Sequence, residues 1–109
     1  MGNDNPSARA GMIQIPTHIN GMAREMFALV VAELNRRNAS TADMFLVERL
    51  AVQLARIREV DRLVRFGYAI ASAAESIKTR CWNLACEFAA DLQLRPDDLE
   101  RLVGTDFPA

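Results

Sequence analysis

Apolar residues recur along most of the chain at three- and four-residue spacings, which is the pattern of one face of an α-helix. Over residues 20–37 this stripe consists of Ala23, Met26, Phe27, Val30 and Leu34. Asn20 is a favourable N-cap, so the pattern predicts a helix that begins there. The connector at 38–40 has only three residues, and we therefore expect the next helix to return antiparallel.

A long central helix is predicted over residues 41–66. The sequence Ser-Thr-Ala-Asp at 40–43 has the form of a capping box in which Asp43 reaches back to the cap, and Gly67 ends the helix. At 1.5 Å per residue the helix spans roughly 39 Å. Its apolar face carries Leu46, Leu50, Leu54, Ile57 and Val64.

Two further helices complete the predicted fold. Residues 67–76 are rich in small side chains and fit either a loop or a weak helix. A third helix is predicted over 77–92, with the stripe Ile77, Cys81, Leu84, Ala85, Phe88, Ala89 and Leu92. Pro96, Asp97 and Asp98 suit the first turn of a short fourth helix, which ends at Gly104.

The predicted fold class is therefore all-α: an antiparallel helical hairpin with a long central helix, a third helix and a short C-terminal helix. No segment has the alternation of a strand. Residues 1–11 lack periodicity, and residues 1–15 are predicted to form a flexible arm. Residues 16–104 are predicted to form a single helical domain and residues 105–109 a tail.

Composition adds two expectations. Half of the 109 residues are hydrophobic, more than so small a core can bury, so some apolar surface is expected to serve partner subunits. The net charge of −1 means that any nucleic acid must be bound by local basic patches. No apolar run is long enough to span a membrane, and residues 1–11 do not resemble a signal peptide, so we expect a soluble cytoplasmic protein without membrane partners.

The residues that carry most enzyme chemistry are not arranged for it. The single histidine, His18, has no nucleophile at a diagnostic spacing and is interpreted as a surface residue. Cys81 and Cys86 match no zinc or redox motif and are interpreted as reduced apolar side chains. The sequence therefore predicts no catalytic residues, no metal site, no cofactor and no enzymatic activity.

Arginines edge the apolar stripe of the central helix. At about 100° per residue, Arg58, Arg62 and Arg65 share one edge, and Arg49 and Arg56 share the other. These side chains could bind DNA phosphates, or they could pair with Glu48, Glu59 and Asp61 on the same helix. The DNA-binding set predicted from this pattern, together with the pair that ends the first helix, is Arg36, Arg37, Arg58, Arg62 and Arg65.

Asp61 lies where an apolar residue is expected on the central helix. It fits a local ion pair with Arg58 or Arg65, and it fits equally an ion pair across a subunit interface. Trp82 lies at the margin of the third helix stripe, where a large ring seals a core or an interface. The predicted oligomer interface consists of Leu46, Leu50, Leu54, Ile57, Asp61, Val64 and Trp82.

The order of these features resembles the small terminase subunits of tailed, cohesive-end bacteriophages. In that family a Thr-x-Asp start opens a long helix that ends in Gly, similar to STADMFLVERLAVQLARIREVDRLVRFG at 40–67. A second family block, a helix leading into Gly-Leu-Ser-Pro-x-x-Arg, is similar to LACEFAADLQLRPDDLERLVG at 84–104, with Gln93 where the family favours Gly. The resemblance covers residues 16–104.

The resemblance implies a non-catalytic component of a genome-packaging motor. Its expected partners are viral double-stranded DNA, the terminase large subunit and copies of itself, assembled as a ring of more than four. The alternative is a helical transcription regulator or antitoxin-like dimer, which would need a helix-turn-helix with a polar recognition helix. The third helix carries Lys78, Thr79, Arg80 and Asn83, which keeps this alternative open.

Overall fold

The computed structural model describes residues 7–8, 14–37 and 42–104. Helix α1 spans Gly21–Arg36, α2 Met44–Arg65, α3 Ala71–Asp91 and α4 Pro96–Val103. The chain is all-α, as predicted. The predicted connector at 38–40 and the tail at 105–109 lie outside the described residues, as do most of the predicted arm and the first two residues of the predicted capping box.

A two-residue strand pairing is the one piece of β-structure in the described part of the chain. Strand β1, Ser7–Ala8, pairs antiparallel with β2, Ala42–Asp43, with Ser7 opposite Asp43. No strand was predicted because two residues are too short for a pattern of alternation. The pairing connects the segment predicted as a flexible arm to the start of α2.

Asp43 is the N-cap of α2 rather than a residue within its first turn. Its Oδ1 accepts hydrogen bonds from Phe45 N at 2.8 Å and Leu46 N at 3.4 Å. This corrects the predicted start at 41. The other end is as predicted, because Gly67 has a φ of +78° and ends the helix. Gly67 N donates to Val64 O and Tyr68 N donates to Leu63 O, which is a Schellman motif.

Helix α3 begins six residues before the predicted start at 77. Ala71, Ala73 and Ala74 are strong helix formers, so the segment that was ambiguous in sequence continues the helix. Only a short turn at 66–70 separates α2 from α3. The C-terminal end is again a Schellman motif, with Leu94 N bonded to Ala89 O and Gln93 N to Ala90 O.

Helix α2 lies between α1 and α3, and α4 packs against all three. Leu94 and Leu99, which flank the start of α4, are both in the core, and Asp98 Oδ2 accepts from Arg95 N at 2.8 Å to cap the helix. The core consists mainly of Met26, Phe27, Val30, Leu34, Val47, Leu50, Ala51, Leu54, Ala85 and Leu99. It lies toward the N-terminal half of α2.

Beyond Ile57, no residue of α2 is buried. The last two turns of α2 lie beside the start of α3, where Ala74 is the one buried residue before Cys81. We call the segment 58–80 the hairpin end. It projects from the core in a molecule that is 49 Å long and about half as wide.

Candidate nucleic-acid and assembly interface

Arg36 and Arg37 lie in an ion-pair cluster that joins the end of α1 to α4. Glu33 accepts hydrogen bonds from Arg36 Nη2 at 2.6 Å and Arg37 Nε at 2.8 Å. Arg37 also binds Asp98 Oδ1. Arg101 Nη2 lies 3.2 Å from Glu33 Oε1 and 3.1 Å from Asp98 Oδ1. We call these five residues the α1–α4 cluster.

The two carboxylates of this cluster are almost entirely buried and ionised. Burial raises the pKa of Glu33, but the hydrogen bonds from Arg37 and Arg36 and the charge of Arg101 outweigh it, so the pKa is lowered. Burial also raises the pKa of Asp98, but the hydrogen bonds from the Arg95 amide and from Arg101 outweigh it, so this pKa is lowered as well. Arg37 thus forms ion pairs with two carboxylates, whereas the side chain of Arg36 pairs with Glu33 and remains exposed.

Arg58 connects α2 to the end of α4. Its Nη1 donates to the carbonyl oxygen of Val103, the last residue of α4. A cation at this position complements the negative end of the helix dipole. The local geometry therefore gives Arg58 a structural contact in addition to any contact with phosphate.

Arg62 and Arg65 remain exposed in the last turn of α2. Among the described residues, no side chain forms an ion pair or hydrogen bond with either one. They lie one turn apart on the hairpin end. Of the five predicted DNA-binding arginines, these two are exposed and form no ion pair with a carboxylate of the described residues.

Three of the predicted interface residues are part of the chain's own core. Leu50 and Leu54 have no exposed surface, and Ile57 is 5 % exposed. Each packs inside the helical domain because α2 is covered by α1 on one side and by α3 on another. This corrects the prediction that they contact a second subunit. Leu46, Val64 and Trp82 are half-buried and keep some surface.

Asp61 forms an ion pair with Lys78 of α3. Lys78 Nζ lies 2.7 Å from Asp61 Oδ1 and 3.5 Å from Glu75. The hydrogen bond with Asp61 raises the pKa of Lys78. The ion pair therefore joins two helices within one chain, and Arg65, one of the two local partners predicted from the sequence, forms no ion pair with Asp61 among the described residues.

A shallow depression lies beside this ion pair. It has a volume of about 210 Å³ and is lined by Ile57, Lys78, Thr79 and Trp82. Trp82 is half-buried and packs against the core. The depression is open and mostly apolar, and no catalytic set lines it.

The feature that sequence reasoning missed is a concentration of exposed apolar side chains on the hairpin end. Leu63, Phe66, Tyr68, Ile70 and Ile77 are 45–80 % exposed. Of the large apolar residues in the described part of the chain, only Phe45 is comparably exposed elsewhere. The available signal was the run of large apolar residues around Gly67, which is unusual for a turn.

The remaining candidates for chemistry are one histidine and two cysteines. His18 Nε2 lies 3.1 Å from Glu48 Oε1 at the surface, as predicted for a surface histidine. Cys81 and Cys86 are free, and burial raises the pKa of Cys86. The described residues contain no group of three or more His, Cys, Asp or Glu side chains arranged to bind a metal.

None of the four helices, over the residues that the structure describes, combines the length and apolar character needed to cross a bilayer. The comparison of the chain with protein-family models, with curated proteins and with solved structures finds no match.

Proposed function

We propose that the chain is the small subunit of a phage terminase, a non-catalytic component of a DNA-packaging motor. In this proposal it assembles into a ring of more than four copies, binds viral double-stranded DNA and regulates the large ATPase–nuclease subunit in the host cytoplasm. The proposal is supported by the order of helices and turns over residues 16–104, which resembles that family.

The observation that carries the DNA-binding part is the exposed pair Arg62 and Arg65. Both guanidinium groups lack a carboxylate partner among the described residues, so no ion pair neutralises either charge in the free protein. A single copy would bind weakly with two such contacts. An oligomer repeats them and gains affinity through simultaneous attachment.

The experiment is a titration of labelled double-stranded DNA at several salt concentrations. We expect Arg62→Glu/Arg65→Glu to lower the affinity by about tenfold or more and to reduce the salt dependence, since each lost phosphate contact removes about 0.9 from the logarithmic slope. Arg49→Glu is the matched control, because Arg49 is exposed on the same helix but far from the hairpin end.

An unchanged affinity in the double variant would contradict the assignment of this pair to DNA. Loss of binding in the Arg49 control as well would indicate a dependence on total charge and not on this site. If wild-type protein binds no DNA under low salt, the terminase proposal itself fails.

A further inference from the structure

The hairpin end has two sides that differ in chemistry. One side carries the Asp61–Lys78 ion pair and the depression lined by Ile57 and Trp82. At about 100° per residue, Leu63 of α2 and Ile77 of α3 lie on the opposite side. We call this opposite side, made up of Glu59, Val60, Leu63, Ala73, Ile77 and Arg80, the outer face.

The outer face is apolar at its centre and has no partner within the described chain. Leu63 is 45 % exposed and Ile77 is 47 % exposed, and they flank the seam between the two helices. Two antiparallel helices can bury only the side chains in the seam between them. A second pair of helices packed on the outer face would enclose Leu63 and Ile77 as a four-helix bundle does.

Opposite charges lie at the two edges of the outer face, level with each other along the helix axes. Asp61 and Lys78 are level because they are paired. Glu59 precedes Asp61 by two residues and Arg80 follows Lys78 by two, so in antiparallel helices Glu59 and Arg80 are level as well. Both are exposed, and neither has a side-chain partner among the described residues.

We propose that the outer face binds the outer face of a second copy of this chain, related by a two-fold axis parallel to the helices. This rotation lays α2 of one copy over α3 of the other. Glu59 of each copy then meets Arg80 of the other, once at each edge, and Leu63 packs against Ile77 between them. The surface is self-complementary in charge, with an apolar centre that meets its own copy, as a two-fold contact requires.

A second copy explains the face better than a phosphate-bearing surface does. Glu59 at one edge would repel the phosphates of DNA or of a lipid headgroup, whereas it is a partner for an arginine. The contact does not depend on the proposed DNA function. A two-fold contact joins only two copies, so a ring of more than four would need another surface in addition.

The test is self-association measured by sedimentation over a concentration series, with single charge reversals and their combination. Glu59→Arg places two arginines opposite each other at both edges, and Arg80→Glu places two glutamates there. We expect each single variant to weaken the association by about tenfold. Glu59→Arg/Arg80→Glu restores opposite charges, and we expect it to recover the wild-type association.

Glu25→Arg is the control, because Glu25 is an exposed residue of α1 away from the hairpin end. Leu63→Gln/Ile77→Gln should also weaken the association, while circular dichroism reports whether the helices remain folded. The inference is overturned if wild-type protein does not self-associate, if the single variants associate as wild type does, or if the double reversal fails to recover.

These outcomes separate the inference from the proposed function. A pair of copies that binds no DNA would support the two-fold contact and contradict the terminase proposal. An assembly of more than four copies whose mass does not respond to the outer-face variants would contradict the two-fold contact alone. Weaker DNA binding by Arg80→Glu with unchanged mass would overturn the inference and assign the face to DNA.

Discussion

Gln93 has a φ of +61°, and among the described non-glycine residues it alone lies in this left-handed region. It occupies the position after the α3 C-cap, where glycine is favoured because a Cβ costs about 1–2 kcal/mol in this conformation. The family block that the sequence resembles has glycine at this position. The positive φ of Gln93 is a physical reason for glycine to be favoured there.

We expect Gln93→Gly to raise the free energy of unfolding by about 0.5–1 kcal/mol, measured by urea denaturation. The gain is smaller than the relief of strain because glycine also increases the entropy of the unfolded chain. Ala90→Gly, three residues earlier within α3, should instead lower stability by about 1 kcal/mol. A loss of stability in both variants would contradict this explanation.

At the end of α2, the equivalent position with positive φ is already occupied by a glycine, Gly67. Its φ is +78°, and a Cβ built on it would meet no atom within 4 Å. The cost of Gly67→Ala is therefore conformational, and we expect a loss of about 1 kcal/mol by the same denaturation measurement. Gly67→Asn should lose less, because asparagine tolerates this conformation better than alanine. Equal stability of wild type and Gly67→Ala would disprove the assignment.

The Asp61–Lys78 pair predicts a small and specific coupling energy. Because both side chains are partly exposed, a double-mutant cycle with Asp61→Asn and Lys78→Met should give about 0.2–1 kcal/mol. The matched cycle between Asp61 and Arg65, the partner expected from sequence, should give a value near zero. A coupling energy near zero for Asp61–Lys78 and a measurable one for Asp61–Arg65 would show that Asp61 pairs within its own helix instead.

At the scale of elements, the α1–α4 cluster makes the free energy of unfolding depend on pH in the acid range. The pKa values of Glu33 and Asp98 are lowered from ordinary values of 4.5 and 3.8. Their stabilisation is therefore fully present above those ordinary values and is lost as the pH falls through the lowered ones. We expect unfolding free energy to fall steeply below about pH 4.5.

Glu33→Gln/Asp98→Asn should flatten this part of the pH profile while lowering stability at neutral pH. Glu100→Gln is the control, because Glu100 is an exposed residue of α4. Chemical denaturation at closely spaced pH values measures both effects. A profile of the double variant parallel to that of wild type would show that other carboxylates govern acid unfolding.

Helix positions were largely predictable, because long apolar stripes and the end signals at Gly67 and Pro96 are local features. The start of α3 was not, since small residues carry little periodicity. The core face of α2 was predicted only in part. Val47, Ala51 and Ala55 are buried because α2 packs against more than one helix, and a single stripe cannot represent a helix that is covered on several sides.

The candidate site was less predictable for a related reason. Whether an arginine is exposed or paired depends on residues distant in sequence, as with Arg37 and Asp98 or Arg58 and Val103. Helical projection alone could not distinguish these from Arg62 and Arg65. Nor could it reveal that the core ends near Ile57, which leaves the large side chains around Gly67 exposed.

At the scale of the molecule, the core lies toward one end and the hairpin end has almost none. Segments with few buried contacts open more readily. We therefore expect amide hydrogens at 58–65 and 71–77 to exchange faster than those at 47–57 in dilute protein. Raising the protein concentration should slow exchange at 58–65 and 71–77 selectively. Exchange that is independent of concentration there would contradict self-association through this segment.

We propose that the molecule as a whole is an assembly module that gains DNA affinity by repetition. The most direct test is the mass of the wild-type protein by light scattering, with and without double-stranded DNA. We predict an assembly of more than four copies that also forms a complex with DNA. A strict monomer, or a strict dimer at all concentrations, would contradict the ring, and the dimer would favour the transcription regulator.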